Sequence, residues 1–346
     1  MFVALNAIEH ENSEYLCLKK PKTSPRSTRI ISPERVLVCI LGQTRAHRLT
    51  WPYFKKHLLE ELNADLALCI GVDDGYDYDN PFWRHAKYRW TVNELDDYGV
   101  GFDEARGALT AACETPSWRK LLGVKGEWLG GVKGQDAQLG SGGIQIYFRW
   151  LLLQNILHDR LLELYDRFLV TRSDFIWKIP HPPLSILSKN FIWIPNGEHW
   201  GGLTDRHIIV SARDLCDSLN LINDIVRRPE LIFELMSQKQ QYEIYRANQK
   251  PLRQPHWNIE KYILFHLRRS GLSDRVRLFP YVSYTVRDAG DQSRWQAGTY
   301  NSEVGMIVKY PTELDLARPF ENLIKTKEDW ETLARARPSL FSLGLS

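Results

Sequence analysis

The run RVLVCIL at residues 35–41 closes on Gly42, and a second run, ADLALCIGVDDG at residues 64–75, ends in two carboxylates. Each is almost continuous in aliphatic and β-branched side chains, without the polar alternation of a half-exposed strand. Such runs mark strands buried on both faces, as in a sheet covered by helices. Between them the loop GQTRAHRL leads to Thr50, which suits a helix N-cap, and to Pro52 in the first turn. Phe54, Leu58, Leu59 and Leu62 then recur at helical spacing. Strand, helix and strand in this order form a βαβ unit, so the expected class is α/β with a mixed, mostly parallel sheet.

From this unit the reading extends both ways. Residues 1–34 form a polar arm that includes KKPKTSPRSTR, and residues 35–310 read as one domain. The stretch from 311 to 346 reads as a helical tail. Residues 76–122 are rich in Trp, Tyr and Asp and show no clean period. Eight glycines between Gly123 and Gly143 suggest a flexible loop able to close over a ligand, followed by a helix from Ile144 to about Tyr165. Beyond it FLVTRSDFIW (168–177) and NFIWIP (190–195) read as strands, and NGEHWGGLTDR as a polar loop. A short strand HIIV, a helix from Ser211, a helix in NIEKYILFHLRRSGL (258–272) and a late strand RLFPYVSYTVR (277–287) complete the series.

With 45 basic and 42 acidic residues among 346, the net charge is +3. A dedicated nucleic-acid binder needs a strong basic bias, so no nucleic-acid partner is expected. Five scattered cysteines form no CxxC pair, which argues against a zinc site or a disulfide framework. The N-terminus lacks a signal-peptide pattern and no run of about 18 uncharged apolar residues occurs. A cytoplasmic location follows as the expectation, with peripheral membrane contact as the only membrane association considered; the oligomeric state has no sequence signature.

Four places combine the residue types that carry chemistry. FLVTRSDFIW holds Arg172 and Asp174, two apart and so on one face, within a segment apolar enough to be buried. A structural ion pair is one explanation. The other is position: ligands of open α/β sheets bind at the carboxyl ends of the strands. There a carboxylate can hold Mg²⁺ or Mn²⁺ and an arginine can neutralise a diphosphate. ILGQTRAHR (40–48) places Gly42, Gln43 and Arg45 just after the first strand, where a glycine permits close backbone approach to an anion; an exposed basic loop is the plainer reading.

NGEHWGGLTDRH (196–207) crowds Glu198, His199, Asp205 and His207 into one loop, with Trp200 and two glycines between them. Carboxylates serve as general bases, and a tryptophan face suits a sugar ring, although packing explains most lone His or Trp residues. Asp73, ending the second strand, suits a ribose contact or equally a turn.

Three of these pieces, in this order, resemble a group of polysaccharide-building glycosyltransferases that includes capsular and lipopolysaccharide transferases of the WavE type. ILGQTR is similar to their opening Gly-Gln-x-Arg, YDRFLVTRSDFIW to their Arg-x-Asp strand, and GGLTDRHIIVSARD to their Gly-x-x-Asp-Arg segment. The resemblance runs from about Arg35 to Phe279, and no motif covers residues 76–140. It implies a GT-A-like, Rossmann-like fold, a nucleotide-diphosphate sugar as donor and a growing glycan as acceptor. Arg172 and Asp174 then stand where many GT-A enzymes carry the Asp-x-Asp that holds a metal ion. Asp174 becomes the candidate metal or ribose contact, and one carboxylate is a thin site for Mn²⁺ or Mg²⁺. Asp205 is the expected acceptor-deprotonating base, with Glu198 second, and His199 and Trp200 the expected acceptor contacts. The competing readings are a noncatalytic carbohydrate-binding or assembly protein and a nucleotide-dependent transferase of another class.

Overall fold

The computed structural model describes residues 34–110, 117–237, 256–288 and 297–341; most of the N-terminal arm lies outside the described residues. The two opening runs form β1 (Val36–Gly42) and β2 (Asp65–Val72), which pair in parallel, with Cys39 opposite Ala67. The intervening helix α1 starts at His47 and continues past Phe54 as a wider turn through Glu60. Thr50 is therefore inside the helix and not its cap: its hydroxyl donates back to the Ala46 carbonyl at 3.1 Å. The cap position falls to Ala46, in the left-handed region at φ 49.

The unpatterned stretch contributes an edge strand, β3 (Tyr88–Asn93), flanked by α2 (Pro81–His85) and α3 (Gly99–Leu109). The long apolar helix is α4 (Gly142–His158). It is followed by β4 (Arg167–Thr171), β5 (Phe175–Trp177), β6 (Ile192–Asn196) and β7 (Ile208–Ser211). Helices α5 (Ala212–Leu219) and α6 (Leu221–Arg227) break at Asn220, and α7 spans Ile259–Arg269 under an Asn258 cap. Strands β8 (Val276–Pro280), β9 (Ser283–Arg287), β10 (Thr299–Asn301) and β11 (Met306–Val308) precede α8 (Pro311–Glu321) and α9 (Lys327–Ala336).

The strands form a seven-stranded sheet in the order β3-β2-β1-β4-β7-β6-β8 and a four-stranded sheet in the order β10-β11-β9-β5. In the large sheet β7 runs antiparallel to both its neighbours, while β3, β2, β1 and β4 pair in parallel and β6 pairs in parallel with β8. The expected mixed, mostly parallel sheet flanked by helices is what the chain adopts. One apolar layer lies under α4 to α7 on one face, including Leu37, Cys39, Phe148 and Leu152. A second, with Val38, Leu68, Trp193 and Trp330, fills the other. Alternating residues of β1 thus divide between the two layers, as continuous apolar runs require.

Two expected strands are each broken in two. FLVTRSDFIW leaves the large sheet after Thr171 and enters the small one at Phe175, and RLFPYVSYTVR does the same between Pro280 and Ser283. Apolar residues flank both breaks because each half is buried, in a different sheet. The small sheet therefore abuts the carboxyl end of β4. Its register sets the backbone N–H of Val286 on the Asp174 carbonyl at 2.9 Å and that of Lys309 on the Thr285 carbonyl at 2.9 Å, fixing Asp174 and Lys309 on either side of β9.

The glycine-rich segment 123–143 is packed at residues 128–132 and at Gly142 and Gly143, while residues 133–137 are exposed. Trp128, Leu129 and Val132 are buried in it, and a Cβ on Gly142 would lie 2.3 Å from the Trp128 carbonyl oxygen. The glycines permit this close packing, and Ser141 is the cap position of α4 without a side-chain cap bond. The last two helices close the same cores. Glu313 of α8 is fully buried, accepting from the Tyr281 hydroxyl at 2.8 Å and the Thr285 N–H at 2.6 Å. Trp330 of α9, also fully buried, donates to the Pro180 carbonyl at 2.8 Å.

Candidate functional site

A cleft opens at the carboxyl edge of the large sheet, between the loop after β1, the 172–174 turn, the start of α4 and the end of β11. Arg45, Arg172, Asp174, Asp205, Arg206 and Lys309 are among its lining side chains, with Gly42, Gln43 and Glu94. These groups range from Gly42 to Lys309 in sequence, and the fold gathers them around one cleft.

Gly42 takes φ 83, a left-handed conformation that glycine adopts without cost. Nothing lies within 4 Å of where its Cβ would be. Its role is thus to turn the chain; close backbone approach to neighbouring protein atoms does not require it. Behind the turn, the Ser173 hydroxyl donates to the Gln43 carbonyl at 3.0 Å, tying two cleft-lining loops together. The Gln43 side chain donates to Glu94 at 2.8 Å and accepts from Arg45 Nε at 2.6 Å. Tyr98 donates to the other Glu94 oxygen at 2.7 Å.

Arg172 grips Asp174 through two parallel bonds, Nε to Oδ1 at 2.8 Å and Nη2 to Oδ2 at 2.6 Å. Burial alone would raise the Asp174 carboxyl, but the Arg172 guanidinium outweighs it, with help from Lys309 and Arg45, and holds it down to about 2. The same pairing pushes Arg172 up against the effect of burial. A divalent cation needs several oxygen ligands. Both Asp174 oxygens are engaged, and among the described residues no group of three or more His, Cys, Asp or Glu side chains comes together as a metal site. The residues present do not fit the Mn²⁺ or Mg²⁺ ion that an Asp-x-Asp position would suggest.

Asp205 lines the same cleft. Gln145 of α4 donates to one of its carboxylate oxygens, and Arg149, one turn further on, donates to its backbone carbonyl at 2.7 Å and to the Gln145 side chain at 2.9 Å. Burial would raise the Asp205 carboxyl, yet the Arg206, Arg172 and Arg149 charges lower it below the ordinary carboxylate range. It is ionised at neutral pH and oriented by a helix. Glu260 of α7, buried close to Asp205, is pushed up to about 8 by burial and by the Asp205 charge.

Other expected site residues fall elsewhere. Asp73 is exposed and accepts from the Gly75 N–H at 3.0 Å, a turn contact outside the cleft. Glu198 is outside the lining as well: its oxygens accept from Arg206 at 3.1 Å, Trp200 Nε1 at 3.1 Å and the Thr312 hydroxyl at 2.6 Å. That leaves Asp205 as the carboxylate of this loop that faces the cleft. His199 accepts the Thr204 N–H on Nδ1 at 3.2 Å, and burial lowers its pKa. Trp200 is 58% exposed and, like Glu198, sits at positive φ, 46 and 54 respectively, an uncommon and strained conformation for such residues.

Sequence reasoning missed Glu94, Gln145, Arg149 and Lys309. Gln145 and Arg149 did carry a signal. They lie at i and i+4 within the apolar run GGIQIYFRWLLL, so a helix sets them on one face of a core element that has no ordinary use for them.

No family model matches this chain, and no curated protein matches it. Among solved structures it is similar to the apo form of mouse xyloside xylosyltransferase 1, at 9% sequence identity and a TM-score of 0.33, covering 72% of this chain and 86% of that one. The functional reading therefore rests on the cleft itself. Among the described residues, no helix is long and apolar enough to cross a membrane.

Proposed function

We propose that this chain is a glycosyltransferase of GT-A-like fold that moves a monosaccharide from a nucleoside-diphosphate sugar to an acceptor hydroxyl. The order of its Gly-Gln-x-Arg, Arg-x-Asp and Gly-x-x-Asp-Arg segments supports a capsular or lipopolysaccharide type of glycan as acceptor. The observation that carries the reading is the placement of the Arg172–Asp174 turn and the ionised Asp205 in one cleft at the carboxyl edge of the sheet, where ligands of α/β folds bind.

The reaction divides between these two groups. The bond between the anomeric carbon and the diphosphate oxygen breaks, its electron pair leaving with the diphosphate. Arg172 and Arg45 stabilise that charge where it develops. The acceptor oxygen forms the new bond to the anomeric carbon, and its proton passes to the Asp205 carboxylate if the configuration inverts. A base must be ionised and held still, and Asp205 is both, through the surrounding arginines and through Gln145. Trp200, exposed beside this loop, offers an aromatic face to the acceptor sugar.

The test is a thermal-shift screen with UDP-, GDP-, CMP- and dTDP-sugars. Stabilisation by donors of one nucleotide is the expected result. Stabilisation by free glycans with no response to any nucleotide sugar would favour a noncatalytic carbohydrate binder.

A further inference from the structure

Resting on that reading, we infer that the donor diphosphate is bound without a divalent cation, in a cradle of fixed protein cations completed by Lys309 from the small sheet. Three observations lead there. The carboxylate at the metal-holding position of the cleft is spent on Arg172, as its two short bonds show. The metal ion's partners are thus replaced by a guanidinium fixed in place. Second, Lys309 is a cleft-lining side chain only 6% exposed, in a protein where an unpaired buried lysine is costly. Third, the backbone register holds it there: β11 pairs with β9, and β9 with β5, so Lys309 and Asp174 flank one strand at the mouth of the cleft.

The groups around the Lys309 ammonium are mostly cations. Burial lowers its pKa first, Arg172, Arg287 and Arg45 lower it further, and Asp174 raises it, to leave it at about 7; Tyr310 packs its ring 4.9 Å from the ammonium. Gathering like charges at a buried site opposes folding, and a bound dianion relieves that cost. The cationic wall is the complement of a diphosphate, with Arg172 supplying a planar fork and Lys309 a point charge.

The experiment is calorimetric titration of the full chain with UDP, GDP and dTDP, in EDTA and then in Mn²⁺ or Mg²⁺. The nucleotide that binds is expected to do so in EDTA as tightly as with either metal, within about threefold. Lys309→Met is expected to weaken it about tenfold or more in EDTA, the scale of one charge-assisted contact, while Lys309→Arg restores most of the affinity. Circular dichroism and a melting curve of each variant show that the fold is kept. Binding that needs the metal, or that Lys309→Met leaves unchanged, overturns the cation cradle while the nucleotide-sugar reading stands. Absence of binding by all three nucleotides under every condition removes both.

Discussion

Arg172 and Asp174 are two residues apart in sequence and close on one another through paired hydrogen bonds of 2.8 and 2.6 Å, at the point where the chain passes from one sheet into the other. The turn has one side chain on each task. Ser173 points back to the carbonyls after β1, while its two neighbours face the cleft. On this geometry Asp174 is a positioning residue for Arg172. Asp174→Asn is expected to destabilise the protein, since the partly buried guanidinium loses its counter-charge, by about 1–3 kcal/mol in denaturant unfolding. Nucleoside-diphosphate affinity in EDTA should fall by no more than about tenfold. A loss of affinity confined to metal-containing buffer would assign Asp174 to a metal instead.

Asp205 carries the proton transfer in this account, and Asp205→Asn keeps the acceptor for the Gln145 donor while removing the basic oxygen. Turnover with donor and acceptor is expected to drop about 10²–10⁴-fold, the scale of general-base removal, with donor affinity nearly unchanged. Near-normal turnover would exclude Asp205 as the base. The same change in Glu198, which is engaged by Arg206, Trp200 and Thr312, should instead lower stability more than chemistry.

A buried relay behind the cleft predicts acid sensitivity. His181 Nδ1 donates to the Pro182 carbonyl at 2.7 Å, its Nε2 lies 3.4 Å from Nε2 of His207, and His207 Nδ1 lies 3.0 Å from the Thr171 hydroxyl. Burial pulls His181 down to about 3 and His207 well below its ordinary value. Both are neutral when folded and take up a proton when unfolded, so their contribution to stability is present above pH ~6.5 and is lost as pH falls below it. Each can cost up to about 1.4 kcal/mol per pH unit. Denaturation at successive pH values between about 7 and about 5 should show stability falling, and His181→Gln with His207→Gln should flatten that slope. An unchanged slope in the double variant would contradict the assignment.

The C-terminal helices act through packing. Trp330 is fully buried against Phe320 and Phe341 and holds the Pro180 carbonyl. Trp330→Ala should cost about 3–5 kcal/mol, the range for deleting a large buried aromatic side chain. A cost below about 1 kcal/mol would mean that α9 is dispensable to the fold.

Much of this was legible in the chain. RVLVCIL and ADLALCIG announced two central strands because burial on both faces leaves no room for polar residues, and that alone gave the α/β class. Arg172 and Asp174 were visible as charges in an apolar run. What the run concealed was its break: the flanks FLVT and FIW are both apolar because each is buried in a different sheet, so the polar residues 172–174 read as charges within one strand and not as its end. Lys309 and Glu94 were invisible as cleft residues because tertiary folding alone brings them to the loops after β1 and β4 from distant parts of the chain. Asp73 shows the limit of such a reading, since a carboxylate after a strand serves a turn as readily as a ribose, and here it accepts from the Gly75 N–H of its own loop.

The central claim, a nucleoside-diphosphate sugar in the cleft, is tested most directly by a crystal structure of the protein with a bound nucleoside diphosphate grown in EDTA. The account predicts phosphate oxygens within hydrogen-bond distance of Arg172 and Lys309, with Asp205 across the cleft on the side left open for the sugar. A diphosphate bound away from these residues would contradict it; one held there only through a metal ion after Mn²⁺ is added would overturn the metal-free cradle alone.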